Sequence, residues 1–261
     1  MSSQLLILGL HRVGYPPNNA KIRGLFISPR LLSFQIWLLK RRGYKFMTLR
    51  EAMLTNHAKR AVLTFDDGYA DNLTAALPVL KNHNVPATLF VISGDVGKTD
   101  VVWRQAGEKL PADLLDWESI GTLKENGWEI ASHAHEHVHL GYYGEVEQED
   151  FIRRSIDDIE KRIGERPVSF AYPYGSYNDL TKRVLKRLGI QFAVTTNPAS
   201  SDDDLTARDH LELTRLSLGG RHFYHYIRAF IRTAKVAGLI PERVFSMPAD
   251  SPAGDLPVGT R

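Results

Sequence analysis

The stretch LTFDDGYADN, residues 63–72, sets Asp66 and Asp67 side by side at the end of an apolar run and just before a glycine. Farther along, SHAHEHVH places His133, His135, His137 and His139 within seven residues. Extended backbone would put all four on one face, whereas helix-like or turn-like backbone brings His133 and His137 together, one turn apart. Neutral imidazoles suit Zn2+, Fe2+, Ni2+ or Co2+, and an aspartate completes a set that leaves room for water and substrate. Alone, the histidines also fit a solvated polar loop, and Asp-Asp-Gly fits an ordinary turn. Together they favour a metal centre. If Asp67 holds the ion, Asp66 stands beside it in a different role. A divalent ion acidifies water towards a pKa of about 7, and a neighbouring carboxylate can take the proton. Gly68 would let the backbone turn tightly and leave room for substrate.

Something must bring segments so far apart in the chain to one place. A phrase recurs, LLKRRGY at 38–44, VLKNHNV at 79–85, TLKENGW at 122–128 and VLKRLGI at 184–190. Each reads as a helix end, with Gly43, Asn84, Gly127 and Gly189 as left-handed stops. Strand-like runs follow: KFMTL, ATLFVIS, EIAS and QFAVTT. Helical spacing links Leu31, Phe34, Trp37 and Leu38 after the Ser28-Pro29 start signal, and Phe151, Ile152, Ile156, Ile159 and Ile163 in the longest helix. Alternating strands and helices with short junctions predict a parallel sheet closed into a (β/α) barrel, whose chemistry collects at the C-terminal strand ends. Asp66 and Asp67 follow AVLTF, the histidines follow WEIA, YPYGSYN follows VSFA and His11 follows LLILGL, so four polar groups are expected on one rim.

Residues 93–116 read as a long loop near the rim, and HFYHYIRAFIRTAKVAG as an amphipathic helix packed on the barrel. Residues 1–240 are expected to form one barrel domain and 241–261 a Pro-rich tail. The 261 residues carry 33 basic and 30 acidic side chains, a net +3 too mild and interspersed for nucleic-acid binding. With no cysteine, disulfides and thiolate chemistry are excluded. The N-terminus MSSQLLILGLHRVG reads as a first strand and not as a signal peptide, and no apolar run is long enough to cross a bilayer. The expectation is a soluble cytoplasmic chain, or one of the cell envelope if a leader was removed.

TFDDGYADN, EIASHAHEH and FAYPYGSYN, in that order, resemble the polysaccharide deacetylase family, carbohydrate esterase family 4 with its NodB homology domain. The similarity runs from LHRVG to about Thr196. It implies a distorted (β/α) barrel, a divalent ion that is usually zinc, and removal of acetyl groups from amino sugars or xylan. Carried over, Asp66 is the base, Asp67, His133 and His137 are the metal ligands, and the Tyr174 N–H helps to bind the oxyanion, a contribution worth about 3 kcal/mol.

The chain departs from the pattern at Ala134, where Ser or Thr is usual, and at Ala171, which stands where an Arg normally orients the base. Arg215, in LTRLSL, is the candidate substitute. The late Leu-x-His motif has no clean match, and LGLHRVG looks like a permuted arrangement that makes His11 the general acid, with His210, His222 and His225 as fallbacks. His135 and His139 are expected outside the ligand set. Tyr69, Trp103, Tyr172 and Tyr177 are candidates to stack on sugar faces, and packing explains each as well.

The function expected from this reading is hydrolysis of N-acetyl groups on an amino-sugar glycan or a glycan precursor, the lack of a leader pointing to a cytoplasmic precursor. A deformylase or small-amide hydrolase on the same scaffold is a second reading. A silent glycan-binding barrel is a third.

Overall fold

Strand register, more than any single contact, decides what reaches the rim. The computed structural model describes residues 4–20, 22–101, 112–198 and 209–217. In chain order the strands are β1 (Gln4–Leu10), β2 (Arg12–Val13), β3 (Phe26–Ile27), β4 (Lys45–Phe46), β5 (Lys59–Phe65), β6 (Thr88–Val91), β7 (Glu129–Ser132), β8 (Ser169–Ala171), β9 (Phe192–Pro198) and β10 (Leu213–Ser217). The helices are α1 (Pro29–Arg41), α2 (Leu49–Leu54), α3 (Leu77–His83), α4 (Trp117–Glu125), α5 (Glu145–Ile163) and α6 (Asp179–Arg187).

Pairing runs β1-β10-β9-β8-β7-β6-β5, and β1 also pairs with β5, so seven parallel strands close a barrel. The closing seam is regular, from Gln4 against Lys59 to Leu10 against Phe65. β4 lies beside the first half of β5, at Arg60 and Ala61, and β6 takes over at Thr64 and Phe65. The expected helix stops hold: Gly43, Asn84, Gly127 and Gly189 have φ of +80°, +49°, +83° and +89°.

Two local expectations are corrected. KFMTL is a strand only over Lys45–Phe46, because Thr48 and Glu51 form a reciprocal capping box that starts α2. In α1, Ser28 caps the helix and Leu38 is buried as expected, with Leu31 packed on the core, but the buried stripe centres on Leu32, Ile36 and Leu39, while Phe34 and Trp37 stay exposed and touch each other. Leu32, Ile36 and Leu39 keep i, i+4, i+7 spacing on one face.

Alternation along each strand sorts two cores. Leu6, Leu8, Leu10, Leu63, Phe65, Leu89, Val91 and Ile130 point outward beneath α1, α3 and α4, while Leu5, Ile7, Val62, Phe90, Ala131, Ala171, Val194 and Leu213 fill the barrel. Two residues farther along, the inward parity arrives at Thr64 and then Asp66, at His133, and at Arg215. The rim chemistry is the continuation of the core pattern.

The floor is closed by α2, whose Leu49 and Ala52 join the interior cluster. Beneath them the buried Glu129 carboxylate accepts hydrogen bonds from Ser169 Oγ at 2.6 Å, Thr88 Oγ1 at 3.0 Å and the Arg50 N–H at 3.0 Å. It joins three strands to α2. Burial pushes its carboxyl above the usual range, against those hydrogen bonds, so ionisation costs stability as pH rises past 4.5. The amphipathic segment at 222–238 and the 241–261 tail lie outside the described residues.

Glu129→Ala orphans these donors and is expected to lower the unfolding free energy by about 3 kcal/mol. Glu129→Gln keeps acceptors and should gain on the parent as pH rises above 4.5. Urea unfolding at pH 5 and pH 8 measures both.

Candidate active site and metal centre

At the end of β5 the chain takes a left-handed step at Asp67, φ +72°, followed by Gly68 at +77°. Adjacent residues thereby present their carboxylates to two different sets of partners. Asp67 Oδ1 lies 3.4 Å from His133 Nε2 and 3.5 Å from His137 Nε2. These ligand atoms all lie within 4.8 Å of one another. His133 Nδ1–H donates to the Ala171 carbonyl at 2.7 Å, which fixes the tautomer and leaves Nε2 with its lone pair facing Asp67. Asp67 Oδ1 is buried and takes no hydrogen bond of good geometry. A buried anionic oxygen facing two imidazole nitrogens fits a divalent cation, whose ligands are lone pairs of this kind. Burial pushes His137 down to about 4, which keeps it neutral and able to ligate at neutral pH.

Asp66 faces the other way. Arg215 grips it with two parallel hydrogen bonds of 2.7 Å, and the guanidinium also donates to Thr64 Oγ1 at 3.2 Å and to the Thr195 carbonyl at 3.0 Å. The Arg215 side chain passes over Gly9, where a Cβ would lie 3.6 Å away in ordinary van der Waals contact. Burial raises the Asp66 carboxyl, but the charge and hydrogen bonds of Arg215 outweigh it and hold it below the usual range. The candidate acid is nearby: His11 Nε2 stands 3.9 Å from Asp66 Oδ2, at the partly open mouth. Its backbone is held from the Asp-Asp stretch itself, by Asn72 Nδ2 donating to the His11 carbonyl at 2.8 Å and Asp71 accepting from the Val13 N–H and Arg12 Nε.

The third motif contributes Tyr174, at φ +56° on the short turn after β8. Gly175 follows at +66°, where any Cβ would lie 2.0 Å from Thr196 Oγ1. The Tyr174 ring meets His137 edge-on at 4.2 Å. Thus His11, Asp66, Asp67, His133, His137 and Tyr174 come to one rim.

The fallback His210 does not, since its ring lies against Phe192, the first residue of β9 and so at the opposite end of the barrel. His222, His225 and Trp103 lie outside the described residues. Three of the suggested stacking tyrosines are needed elsewhere. Tyr69 is buried in a bridge with Leu114, Tyr172 is buried with its hydroxyl donating to the Leu211 carbonyl, and Tyr177 stacks on Tyr172.

His135, between the two imidazoles of the candidate metal group, plays a part that its sequence position did not reveal. Its N–H donates to the Phe151 carbonyl at 2.9 Å and its carbonyl accepts from the Gly94 N–H at 3.0 Å. Nδ1 meets Asp158 Oδ2 at 3.0 Å and Ser93 Oγ at 2.9 Å, and Nε2 accepts from Arg154 at 2.7 Å. Every polar atom of the residue is tied down. Ala134, left-handed at +63°, has its N–H taken by Ser132 Oγ at 3.2 Å.

Fold and site define a seven-stranded (β/α) barrel with a two-imidazole, one-carboxylate group at its C-terminal rim. The polysaccharide deacetylase family model matches residues 54–193, more than half of the chain, and the chain belongs to that family. YxkH of Bacillus subtilis (strain 168) is 31% identical over 197 residues, 72% of this chain and 65% of that protein. The chain therefore spans less than two thirds of the length of YxkH. A poly-beta-1,6-N-acetyl-D-glucosamine N-deacetylase of Staphylococcus epidermidis is 27% identical over 224 residues, covering 80% of this chain and 73% of that one. Among solved structures, the Streptococcus pyogenes deacetylase PplD in complex with acetate superposes with a TM-score of 0.71 at 25% identity, covering 87% of this chain and 98% of that chain. IcaB from Ammonifex degensii gives 0.70 at 23% identity over 91% and 97%, a likeness of fold. Among the described residues no helix is long and apolar enough to cross a membrane.

Two outcomes follow from the geometry. Arg215→Met leaves Asp66 buried without its counter-ion and is expected to cost about 3–5 kcal/mol at pH 7. That cost should shrink on acidification as the orphaned carboxylate protonates, which urea unfolding at pH 7 and pH 5 reads. His135→Ala should weaken metal binding about tenfold or more, whereas His135→Asn, whose amide nitrogen replaces Nδ1, should retain it; competition with a chromophoric chelator separates them.

Proposed function

We propose that the protein is a metal-dependent hydrolase that removes N-acetyl groups from an amino-sugar glycan. The observation that carries this reading is the division of labour between adjacent carboxylates, with Asp66 paired to Arg215 at 2.7 Å and Asp67 facing two imidazoles. A binding module has no use for such a division. The names of the relatives support the substrate class.

Asp67, His133 and His137 would hold the ion, for which Zn2+ is the first choice, with Ni2+, Co2+ and Fe2+ also compatible with two imidazoles and one carboxylate. When bound there, the ion supplies Lewis-acid polarisation of the amide carbonyl and acidifies water. Asp66, kept ionised by Arg215, takes the proton of the attacking water. Arg215 also fixes the angle of that carboxylate, since a bidentate pair allows one orientation. The Tyr174 N–H is assigned to the developing oxyanion, and its left-handed backbone supports a strained, functional placement. His11, near Asp66 and open to solvent on one side, gives a proton to the departing amine.

The expected result is acetate release from N-acetylglucosamine oligomers that stops on chelation and returns with Zn2+. Asp66→Asn should lower turnover by about 10²–10⁴-fold while metal content stays at that of the parent. Release of formate alone from N-formyl sugars would favour the deformylase reading, and glycan binding with no turnover in the metal-loaded parent would favour a binding barrel.

A further inference from the structure

Rings continue outward from the metal group. Tyr174, edge-on to His137, stacks on His139 at 4.1 Å and 15°, and His139 stacks in turn on Tyr142 at 5.3 Å and 21°. Three nearly parallel rings thus lead from a metal-ligating imidazole to solvent, where Tyr142 is 85% exposed.

The outermost ring is not a loose surface tyrosine. It ends the short turn Leu140–Tyr142, anchored by the fully buried Leu140. The Gly141 N–H donates to Ser176 Oγ at 3.2 Å, and Asn178 Nδ2 donates to the Gly141 carbonyl at 3.1 Å, so the turn is fastened to the loop that carries Tyr174. A Cβ on Gly141 would sit 3.2 Å from Ser176 Oγ and 3.4 Å from the Tyr177 backbone, which shows how closely the two loops lie. An aromatic ring held in water gains nothing for the core, and Tyr142 is 85% exposed. Glu136 and Glu147 are exposed close by in the chain and disfavour an anionic lipid surface.

We propose that Tyr142, with His139 and Tyr174 behind it, is a stacking platform for a sugar unit beyond the one being deacetylated, which makes this ring a determinant of affinity for that unit. The inference rests on the amino-sugar deacetylase reading. A pyranose offers an apolar face of C–H groups to an aromatic ring and hydroxyls at its edge, and a tyrosine with one wet end matches both. The rings run outward from the centre at which the acetyl group must sit, so a chain whose N-acetyl group reaches the ion has its next unit carried towards Tyr142.

The test uses the Zn2+-loaded full chain carrying Asp66→Asn, so that ligand survives, with a β-1,6-linked N-acetylglucosamine pentasaccharide and the N-acetylglucosamine monomer as probes in calorimetry. The pentasaccharide should bind more tightly than the monomer. Adding Tyr142→Ala should weaken pentasaccharide binding about tenfold, and adding Tyr142→Phe should keep it. Equal pentasaccharide affinity with and without the ring overturns the platform, as does equal affinity of the parent for the two probes. Acetate release by the unmodified chain is measured separately. Its failure on every glycan sinks the deacetylase reading, while ring-dependent binding would still support the platform.

Discussion

The buried pair between Asp66 and Arg215 is the interaction on which the site depends. Two carboxylates on consecutive residues, both inside the protein, cannot remain ionised side by side without separate compensation. Arg215 supplies it for Asp66 through two hydrogen bonds of 2.7 Å, and the left-handed backbone at Asp67 turns the second carboxylate towards His133 and His137. The pair contributes little net stability, because desolvating both charges cancels most of their attraction. Its effect is to hold one carboxylate ionised and fixed in angle while its neighbour stays available to a cation.

Backbone strain is concentrated at the same rim. Of the five described non-glycine residues with positive φ, Asp67, Ala134 and Tyr174 follow β5, β7 and β8 respectively. Each such step costs on the order of 1 kcal/mol or more. Surrounding bonds keep them in place: Leu115 N–H on the Gly68 carbonyl, Ser132 Oγ on the Ala134 N–H, and the Gly175 N–H on the Tyr172 carbonyl. Inward parity alone delivers Asp66, His133 and Arg215, whereas Asp67, the second carboxylate of the pair, required a break in that regularity.

The strands, the helix stops and the gathering of four motifs on one rim were legible because they depend on local signals: apolar alternation, Gly or Asn after Leu-Lys, polar residues after a strand. Contacts set by closure of the barrel were less so. Arg215 is 149 residues from Asp66 in sequence and reaches it because β10 closes against β1, which in turn pairs with β5. Its residue type marks it as a replacement for the arginine missing at Ala171, but the pairing itself exists only once the barrel closes. The same limit applies to the tyrosines. Tyr69 and Tyr172 look like rim residues until the returning loop and β9 bury them, while Tyr142, in a stretch dominated by histidines, carries no local signal of its own. In α1 Leu38 is buried as its spacing predicts, but LLSFQIWLL offers more than one apolar stripe, and only packing turns Leu32, Ile36 and Leu39 inward and leaves Phe34 and Trp37 outside.

Preorganisation explains why a histidine lies between two others in HAHEH. A loop carrying two candidate ligands would lose conformational freedom on taking up an ion, and that loss would weaken binding. With both ring nitrogens, the N–H and the carbonyl of His135 fixed to α5 and to the turn after β6, the ordering has already been met by folding. Gly94 belongs to the same arrangement, because a Cβ there would lie 2.5 Å from the His135 carbonyl oxygen and force the loop away. A Ser or Thr hydroxyl at position 134 would provide one further tie. With Ser132 Oγ holding the Ala134 N–H and Asp158 holding His135, the loop is constrained on both sides of that position, and alanine suffices there.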